Sequence, residues 1–437
     1  MTARGLIVAA PRSGSGKTTV TLGLLAALKR RGVAIRAAKA GPDYIDPAFH
    51  AAASGAASIN LDSWAMPPVL LDALMGEAAQ AAELLIIEGV MGLFDGVAGA
   101  PGRTGSTADL ATHLGLPVLL VLDVSGQSQT AAAVVRGLAE HDPGVRIAGV
   151  VLNRVGSERH RALVENAIDA VGIPVLGAVP RDAALAMPER HLGLVQAQEH
   201  GDLTARLDGL ADMAQRHLRL DRIVAIAAPL RFAGARDGPA LPPPGQRIAV
   251  AADPAFTFMY PHVRDDWRRA GAEIVAFSPL ADEPPASDCD ACWLPGGYPE
   301  LQAGVLANAH RFQEGLRQFG ATRPVHGECG GYMVLGEGLE DAQGVRHAMV
   351  GLLGHATSFA TRRLHLGYRE ARLLADGALG RAGGTIRGHE FHYATLSSPS
   401  ADEAFLDLTD AQGQRVGGAG SRRGHVSGTF FHAIARV

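Results

Sequence analysis

Six short, almost wholly apolar runs in the first half of the chain, separated by helical or loop stretches, limit the fold more than any other feature. They are Leu6–Ala10, Ala34–Lys39, Leu84–Glu88, Val118–Val124, Ile147–Asn153 and Val175–Val179. A strand with no polar alternation must be covered on both faces, which is the situation in a parallel sheet sandwiched by crossover helices. Lys17–Arg30, Gln127–Glu140 and Glu158–Val171 carry the helical patterns between several of the runs. The expected fold class is therefore α/β, with a mainly parallel sheet and helices on both faces.

At 437 residues the chain exceeds one ordinary core, so two domains are expected. Arg231 to Gln246 (RFAGARDGPALPPPGQ) holds three consecutive prolines and little apolar periodicity, as a linker does. The strand pattern restarts at Arg247–Ala251, Glu273–Phe277, Ala291–Leu294 and Pro324–His326, and beyond Gly351 the chain reads as β-structure with irregular loops. The expected division is residues 1–235 and 246–437. With 40 basic and 44 acidic residues the net charge is −4, which argues against a duplex nucleic-acid binder, since such a protein carries a basic face to neutralise phosphates. Three cysteines exclude a disulfide scaffold and suit a reducing, cytoplasmic setting. The most apolar internal stretch, Leu114–Leu122, contains Pro117 and stops at Asp123, so no membrane span is expected, and the apolar run in MTARGLIVAAPRSGSGK is too short for a signal peptide.

The first apolar run leads directly into PRSGSGKTT and a helix. A glycine-rich turn between strand and helix exposes backbone N–H groups that cradle phosphates, with Ser13, Gly14, Ser15, Gly16, Lys17, Thr18 and Thr19 as the nucleotide-binding candidates. Lys17 would reach the β- and γ-phosphates and Thr18 would ligate Mg²⁺. Pro11 stands where the usual spacing has glycine, so this is a variant P-loop. The chain has only three lysines, Lys17, Lys29 and Lys39, among its 40 basic residues. Lys17 and Lys39 therefore mark places where a compact point charge is wanted. Lys39 opens KAGPDYIDPAFH, which sets Asp43 and Asp46 on a loop at a strand's C-terminal edge, where α/β sheets bind ligands; a turn with capping aspartates is the alternative. The third run ends in Glu88, followed by Asp95 in VMGLFDG, a Walker-B-like arrangement with Glu for Asp. Oxygen ligands suit Mg²⁺, which makes Asp43 and Glu88 its candidates. Asn153, at the end of the fifth run, is a candidate reader of an adenine edge or a helix cap.

In the second half, RPVHGECGGYMVLGEGL contains G-x-C-x-G, the cysteine form of the nucleophile elbow, with Cys329 as the nucleophile. Gly296 and Gly297 of PGGYPE offer unencumbered amides for an oxyanion hole. His432 in SGTFFHAIAR, and His389 and His392 in RGHEFHY, are the candidate bases. Cys289 and Cys292 form C-x-x-C without a second pair, so core packing is expected rather than zinc. Arg362, Arg363 and Arg369 are either partners for substrate carboxylates or a solvated basic face.

These motifs, in this order, resemble the cobyrinic acid and hydrogenobyrinic acid a,c-diamide synthase family over essentially the whole length. KAGPDYIDP and IEGVMGLFDG are the most discriminating pair. The resemblance implies a dethiobiotin-synthetase-like ATPase domain fused to a class I glutamine amidotransferase domain. It implies Cys329 as glutaminase nucleophile and His432 as base. Ordinary class I enzymes place Glu two residues after that histidine, where this chain has Ile434. Lys17 and Thr18 match its nucleotide and Mg²⁺ positions, Asp43, Glu88 and Asp95 match acids around ATP, metal and substrate, and Lys39, Tyr44, Asp46 and Asp95 are the substrate-binding candidates. The implied reaction is ATP- and Mg²⁺-dependent amidation of the a and c acetates of a corrinoid macrocycle, through acyl phosphates and ammonia from glutamine. The expected partners are the macrocycle, glutamine and ATP, with no nucleic acid and no membrane, and a homodimer is compatible with the sequence. The alternatives are cobyric acid synthase, nickel-sirohydrochlorin a,c-diamide synthase and a deviant P-loop ATPase switch.

Overall fold

The structure, a computed structural model, describes residues 3–80, 82–182, 189–190, 193–194, 196, 201–231, 238–399 and 401–437. It divides into two compact units, Met1–Arg236 and Asp237–Val437. Residues 232–237 of the expected linker lie outside the described residues.

In the first unit the six apolar runs form parallel strands: β1 (Arg4–Ala9), β2 (Ile35–Ala40), β4 (Leu84–Glu88), β5 (Val118–Asp123), β6 (Ile147–Val155) and β7 (Val175–Pro180). A further strand, β3 (Ile59–Leu61), pairs with β2; three residues of mixed polarity give no period to read. The order is β3-β2-β4-β1-β5-β6-β7, and Ala228–Pro229 adds an antiparallel pairing beside β1. Every residue of β4 and β5 is buried, as continuous apolar runs require. Helix α1 (Lys17–Arg30) buries Leu22, Leu24, Leu25 and Leu28. It also packs on the helix Leu203–His217, where Leu210 O would lie 2.9 Å from a Cβ on Gly23. Because these strands are parallel, the loops after β1, β2, β4, β5 and β6 all leave one edge of the sheet, and each delivers polar residues there.

The second unit has a six-stranded sheet in the order Glu273–Phe277, Arg247–Ala251, Ala291–Leu294, Val325–Glu328, Val426–Thr429, Ser421–Arg423. Its strands are parallel except the last. The fourth strand begins one residue later than the sequence suggests and runs on through Glu328 to the cysteine. An antiparallel sheet follows in the order Arg415–Ala419, Leu406–Asp410, His365–Leu373, Thr385–His392, Phe431–Arg436. The chain thus leaves the parallel sheet at Thr429 and enters the antiparallel one at Phe431, a switch within two residues. Cys289 and Cys292 are buried in the apolar core of this unit.

Candidate active sites

The loop after β1 folds as a phosphate cradle. Gly14 and Gly16 have φ of 73° and 98°, and Gly16 precedes α1 without any side-chain cap, leaving the first amides of the helix for an anion. Ser13 and Gly14 are exposed, and Thr18 and Thr19 are half-buried on the first turn. Glycine is also required at position 16 by close approach, since a Cβ there would lie 2.1 Å from Asn153 Nδ2. That amide donates to Ser15 O at 2.8 Å, and Asn153 Oδ1 accepts from Arg154 N at 3.0 Å. Through its amide Asn153 braces the loop from β6, while its Oδ1 is engaged by the backbone of the next residue. Lys17 Nζ donates to Met91 O at 2.5 Å, and burial, with the charge of Lys39 nearby, lowers its pKa to about 8.

Behind the cradle lies a buried ionic cluster. Glu88 Oε1 accepts from Thr18 Oγ1 at 2.6 Å and from Lys39 Nζ at 3.0 Å, and Glu88 Oε2 lies 2.6 Å from His50 Nε2. Lys39 also meets Asp46 Oδ2 at 2.5 Å. Burial alone would raise the Glu88 carboxyl, but Lys39, His50 and Thr18 outweigh it and hold it well below the usual range. Burial likewise opposes the Lys39 charge, yet Asp46, Glu88 and Asp43 keep the ammonium protonated far above its ordinary value. Burial and the neighbouring Asp43 push the Asp46 carboxyl up to about 7 against the pull of Lys39. Asp43, Asp46 and Glu88 surround Lys39, and Lys17 and His50 border the same cluster. Asp43 Oδ1 accepts from Ile45 N and Asp46 N at 2.7 and 3.1 Å, so it caps the turn into helix α2 (Asp46–Ser54). Tyr44 is half-buried beside it. Asp95 is exposed, and its Oδ2 accepts from Gly92 N at 2.8 Å; the loop it shapes is pinned to the cradle where Leu93 N donates to Ala10 O at 2.8 Å.

His50 escaped the sequence reading although a signal was present: Asp46 and His50 stand four apart on α2, a spacing that puts both on one face toward Glu88. Asp123 and Arg154 were also missed. Asp123 Oδ2 accepts from Arg154 at 2.6 Å and from Arg12 at 3.2 Å, which ties the ends of β5 and β6 to the cradle. Beside them a cavity of about 440 Å³ is lined by Ser125, Arg154, Gly156, His160, Pro180 and Arg181 among others.

In the second unit the strand Val325–Glu328 ends at Cys329, which has φ 46° and ψ −102°. A non-glycine residue is strained there, and the turn lifts the thiol out of the strand line. Cys329 N donates to Thr429 O at 2.7 Å, which holds the turn. His432 arrives from the sheet switch at Thr429–Phe431. A Cβ on Gly296 would lie 2.5 Å from His432 Cε1 and 3.4 Å from Cys329 Cβ, so nucleophile, base and the PGG loop converge at one point. Gly297 N lies 3.0 Å from the Cβ position of Gly330, immediately after the cysteine, which sets its amide beside the elbow. Burial, reinforced by Glu300, pushes the Cys329 thiol up, while burial and then His389 push His432 well down. Both shifts favour the uncharged forms, thiol and imidazole. His389 stacks on His432 with ring centroids 5.0 Å apart, and its Nδ1 lies 3.2 Å from Tyr260 Oη. His392 packs on Phe430 and His365 instead. Arg369 donates to Glu390 at 2.7 Å, whereas Arg362 and Arg363 are exposed.

A phosphate cradle backed by an ionic cluster on one unit, and a thiol elbow facing a histidine on the other, define a nucleotide-binding, glutamine-dependent amidotransferase. Residues 6–195 match the CobQ/CobB/MinD/ParA nucleotide binding domain, and residues 247–436 match the CobB/CobQ-like glutamine amidotransferase domain. The chain is 64% identical over 437 residues, all of both chains, to a hydrogenobyrinate a,c-diamide synthase of Mesorhizobium japonicum. It is 60% identical to the enzyme of that name from Agrobacterium fabrum, again over all of both chains, and 55% identical to that of Rhodobacter capsulatus over 99% of each. The chain belongs to the hydrogenobyrinate a,c-diamide synthase family, and it is a carbon–nitrogen ligase that draws its nitrogen from glutamine. No helix among the described residues is long and apolar enough to cross a membrane.

Proposed function

We propose that this protein converts the a and c acetate side chains of hydrogenobyrinic acid, the metal-free corrin, into amides during cobalamin biosynthesis. The observation that carries this reading is full-length similarity, at 64% identity, to a relative named for that activity. The chemistry of the two sites supports it. A carboxylate is a poor acceptor for ammonia because its leaving group would be oxide. Transfer of the ATP γ-phosphoryl group to the carboxylate oxygen makes an acyl phosphate, from which ammonia displaces phosphate. The amides of residues 13–19 and the Lys17 ammonium hold the triphosphate. Lys39 holds the incoming carboxylate, with Tyr44, Asp46 and Asp95 around the substrate. The cavity at the ends of β5–β7 has the volume for a nucleoside.

The residues present fit Mg²⁺. Thr18 Oγ1 and Glu88 Oε1 are oxygen donors 2.6 Å apart at the cradle, beside the acids Asp43 and Asp46. No group of three or more His, Cys, Asp or Glu ligands occurs among the described residues, but this ion typically takes one or two carboxylates and completes its shell with water and phosphate. Thr18, Glu88 and Asp43 would hold it, and when bound it offsets charge on the phosphoryl group. At the other site Cys329 Sγ attacks the glutamine amide carbon while His432 takes the thiol proton. The Gly296 and Gly297 amides receive the developing oxyanion, His432 returns the proton to the departing nitrogen, and water cleaves the glutamyl thioester. A need for ATP and glutamine supports a cytoplasmic setting.

The test is mass spectrometry of products after incubation with ATP, Mg²⁺, glutamine and hydrogenobyrinic acid, in parallel with cobyrinic acid. Two successive replacements of OH by NH₂ on the metal-free macrocycle are expected. Preference for the cobalt-containing acid would refute the metal-free assignment, and no product from either would refute the corrinoid reading.

A further inference from the structure

The base of the glutamine site has a buried carboxylate beside it that the mechanism above does not use. Glu328 Oε2 lies 3.9 Å from His432 Nδ1, and the two side chains are 5% and 1% exposed. The other carboxyl oxygen, Oε1, accepts from Ala433 N at 3.0 Å, the residue next to the histidine. One side chain therefore ties the residue before the nucleophile to the backbone of the strand that carries the base. At position 434, two residues after the base, stands a fully buried isoleucine, whose carbonyl accepts from His262 at 3.0 Å. A carboxyl group buried with little more than one backbone bond is costly to keep, which calls for a compensating role.

We propose that Glu328 is the residue that positions His432 and holds its imidazolium during glutamine hydrolysis, a role supplied from the residue before the nucleophile. The inference rests on the reading of Cys329 and His432 as a glutaminase pair. When Cys329 Sγ bonds to the amide carbon, its proton passes to Nε2 of His432, leaving Nδ1–H directed at Glu328. The positive ring then draws the carboxylate from 3.9 Å into hydrogen-bond range, a tightening expected where catalytic contacts are loose before substrate binds. The proton goes on to the leaving nitrogen, the amide C–N bond breaks, and ring and carboxylate return to their starting states.

The other charged and titratable groups around the ring do not take this role. His389, stacked on His432, and nearby His392 are both pushed down by burial and so stay neutral. Glu390 is engaged by Arg369, and Glu300 acts on Cys329. Tyr260 meets His389. Burial pushes the Glu328 carboxyl up to about 8, partly offset by the Ala433 bond, so the carboxylate that meets the imidazolium is populated as pH rises through that value.

The experiment compares full-length wild type, Glu328→Gln and Glu328→Asp. It reads glutamine-dependent and ammonium-dependent synthesis, and the pH profile of Cys329 alkylation by iodoacetamide. The expected result for Glu328→Gln is a fall of about a hundredfold in glutamine-dependent kcat with little change in KM. Its alkylation profile moves to higher pH, while ammonium-dependent synthesis reports an intact fold. Wild-type kcat and an unshifted alkylation profile would overturn the proposal. Should Glu328→Gln lose the ammonium reaction as well, Glu328→Asp decides. A reduced kcat with a shifted profile sustains the role, and wild-type behaviour overturns it. Alkylation needs no glutamine, so it decides the role of Glu328 even if the wild type failed to hydrolyse glutamine and the glutaminase reading fell.

Discussion

Gly296→Ala tests whether the convergence of base and nucleophile on the PGG loop governs the glutamine reaction. The added methyl would sit 2.5 Å from His432 Cε1, 3.2 Å from Phe258 Cβ and 3.4 Å from Cys329 Cβ. Carbon atoms rest at about 3.5–4.0 Å, so the ring would have to withdraw by about 1 Å. It has little room, because His432 is buried against the stacked ring of His389. A misplacement of that size costs about a hundredfold in rate, or about 3 kcal/mol in the barrier. The assay is glutamate release from glutamine, with ammonium-dependent amide synthesis measured on the same preparation. The expected outcome is loss of the first and retention of the second. Glutamine hydrolysis at the wild-type rate by the alanine variant would refute the reasoning, because the clash with the ring would then be relieved without cost to the pair.

Three further outcomes are expected. Lys17 titrates at about 8, below an ordinary lysine, so its charge is complete below that value and is lost as pH rises through it. Calorimetric titration between about pH 7 and pH 9 should show ATP affinity falling with pH in the wild type, and a weak, flat profile in Lys17→Met; a flat wild-type profile would count against the lysine as phosphate ligand. Asn153→Ala removes the bond to Ser15 O, which should cost about 1–3 kcal/mol and raise the KM for ATP while leaving glutamine hydrolysis unchanged; an unaltered KM would show that the brace is dispensable. Glu88→Gln takes one of the two carboxylates from buried Lys39, and the acceptor of Thr18 and His50 with it, and should destabilise the protein by about 3 kcal/mol in denaturant melts, with loss of synthesis from either nitrogen source. An unchanged unfolding midpoint would contradict that account of the cluster.

Much of the fold is legible because its strands are buried on both faces and so lack polar alternation. Leu84–Glu88 and Arg247–Ala251 are bounded in the structure as their apolar runs suggest, and α1 begins at the lysine that follows the glycine turn. Boundaries drift where turn geometry competes with pattern: the helix expected from Gln127 begins at Thr130, after a turn in which Gln127 N donates to Val124 O. The strand Ile59–Leu61 and the helix Leu203–His217 escaped, the first because it is too short to show a period.

What the sequence determined by itself is the chemistry held within single turns: the phosphate loop at residues 11–19, the elbow at Gly327–Gly331, and the acids at the ends of apolar strands. Each is a local backbone requirement, written in contiguous glycines and one reactive side chain. Which distant residues serve those turns is settled by packing in three dimensions. His50 joins Glu88 across 38 positions, Asn153 supports Ser15 across 138, and Glu328 meets the strand of His432 across 105. No periodicity records such pairings. They arise because parallel strands deliver their ends to one edge, and because the chain changes sheets between Thr429 and Phe431 and so carries the histidine over the thiol.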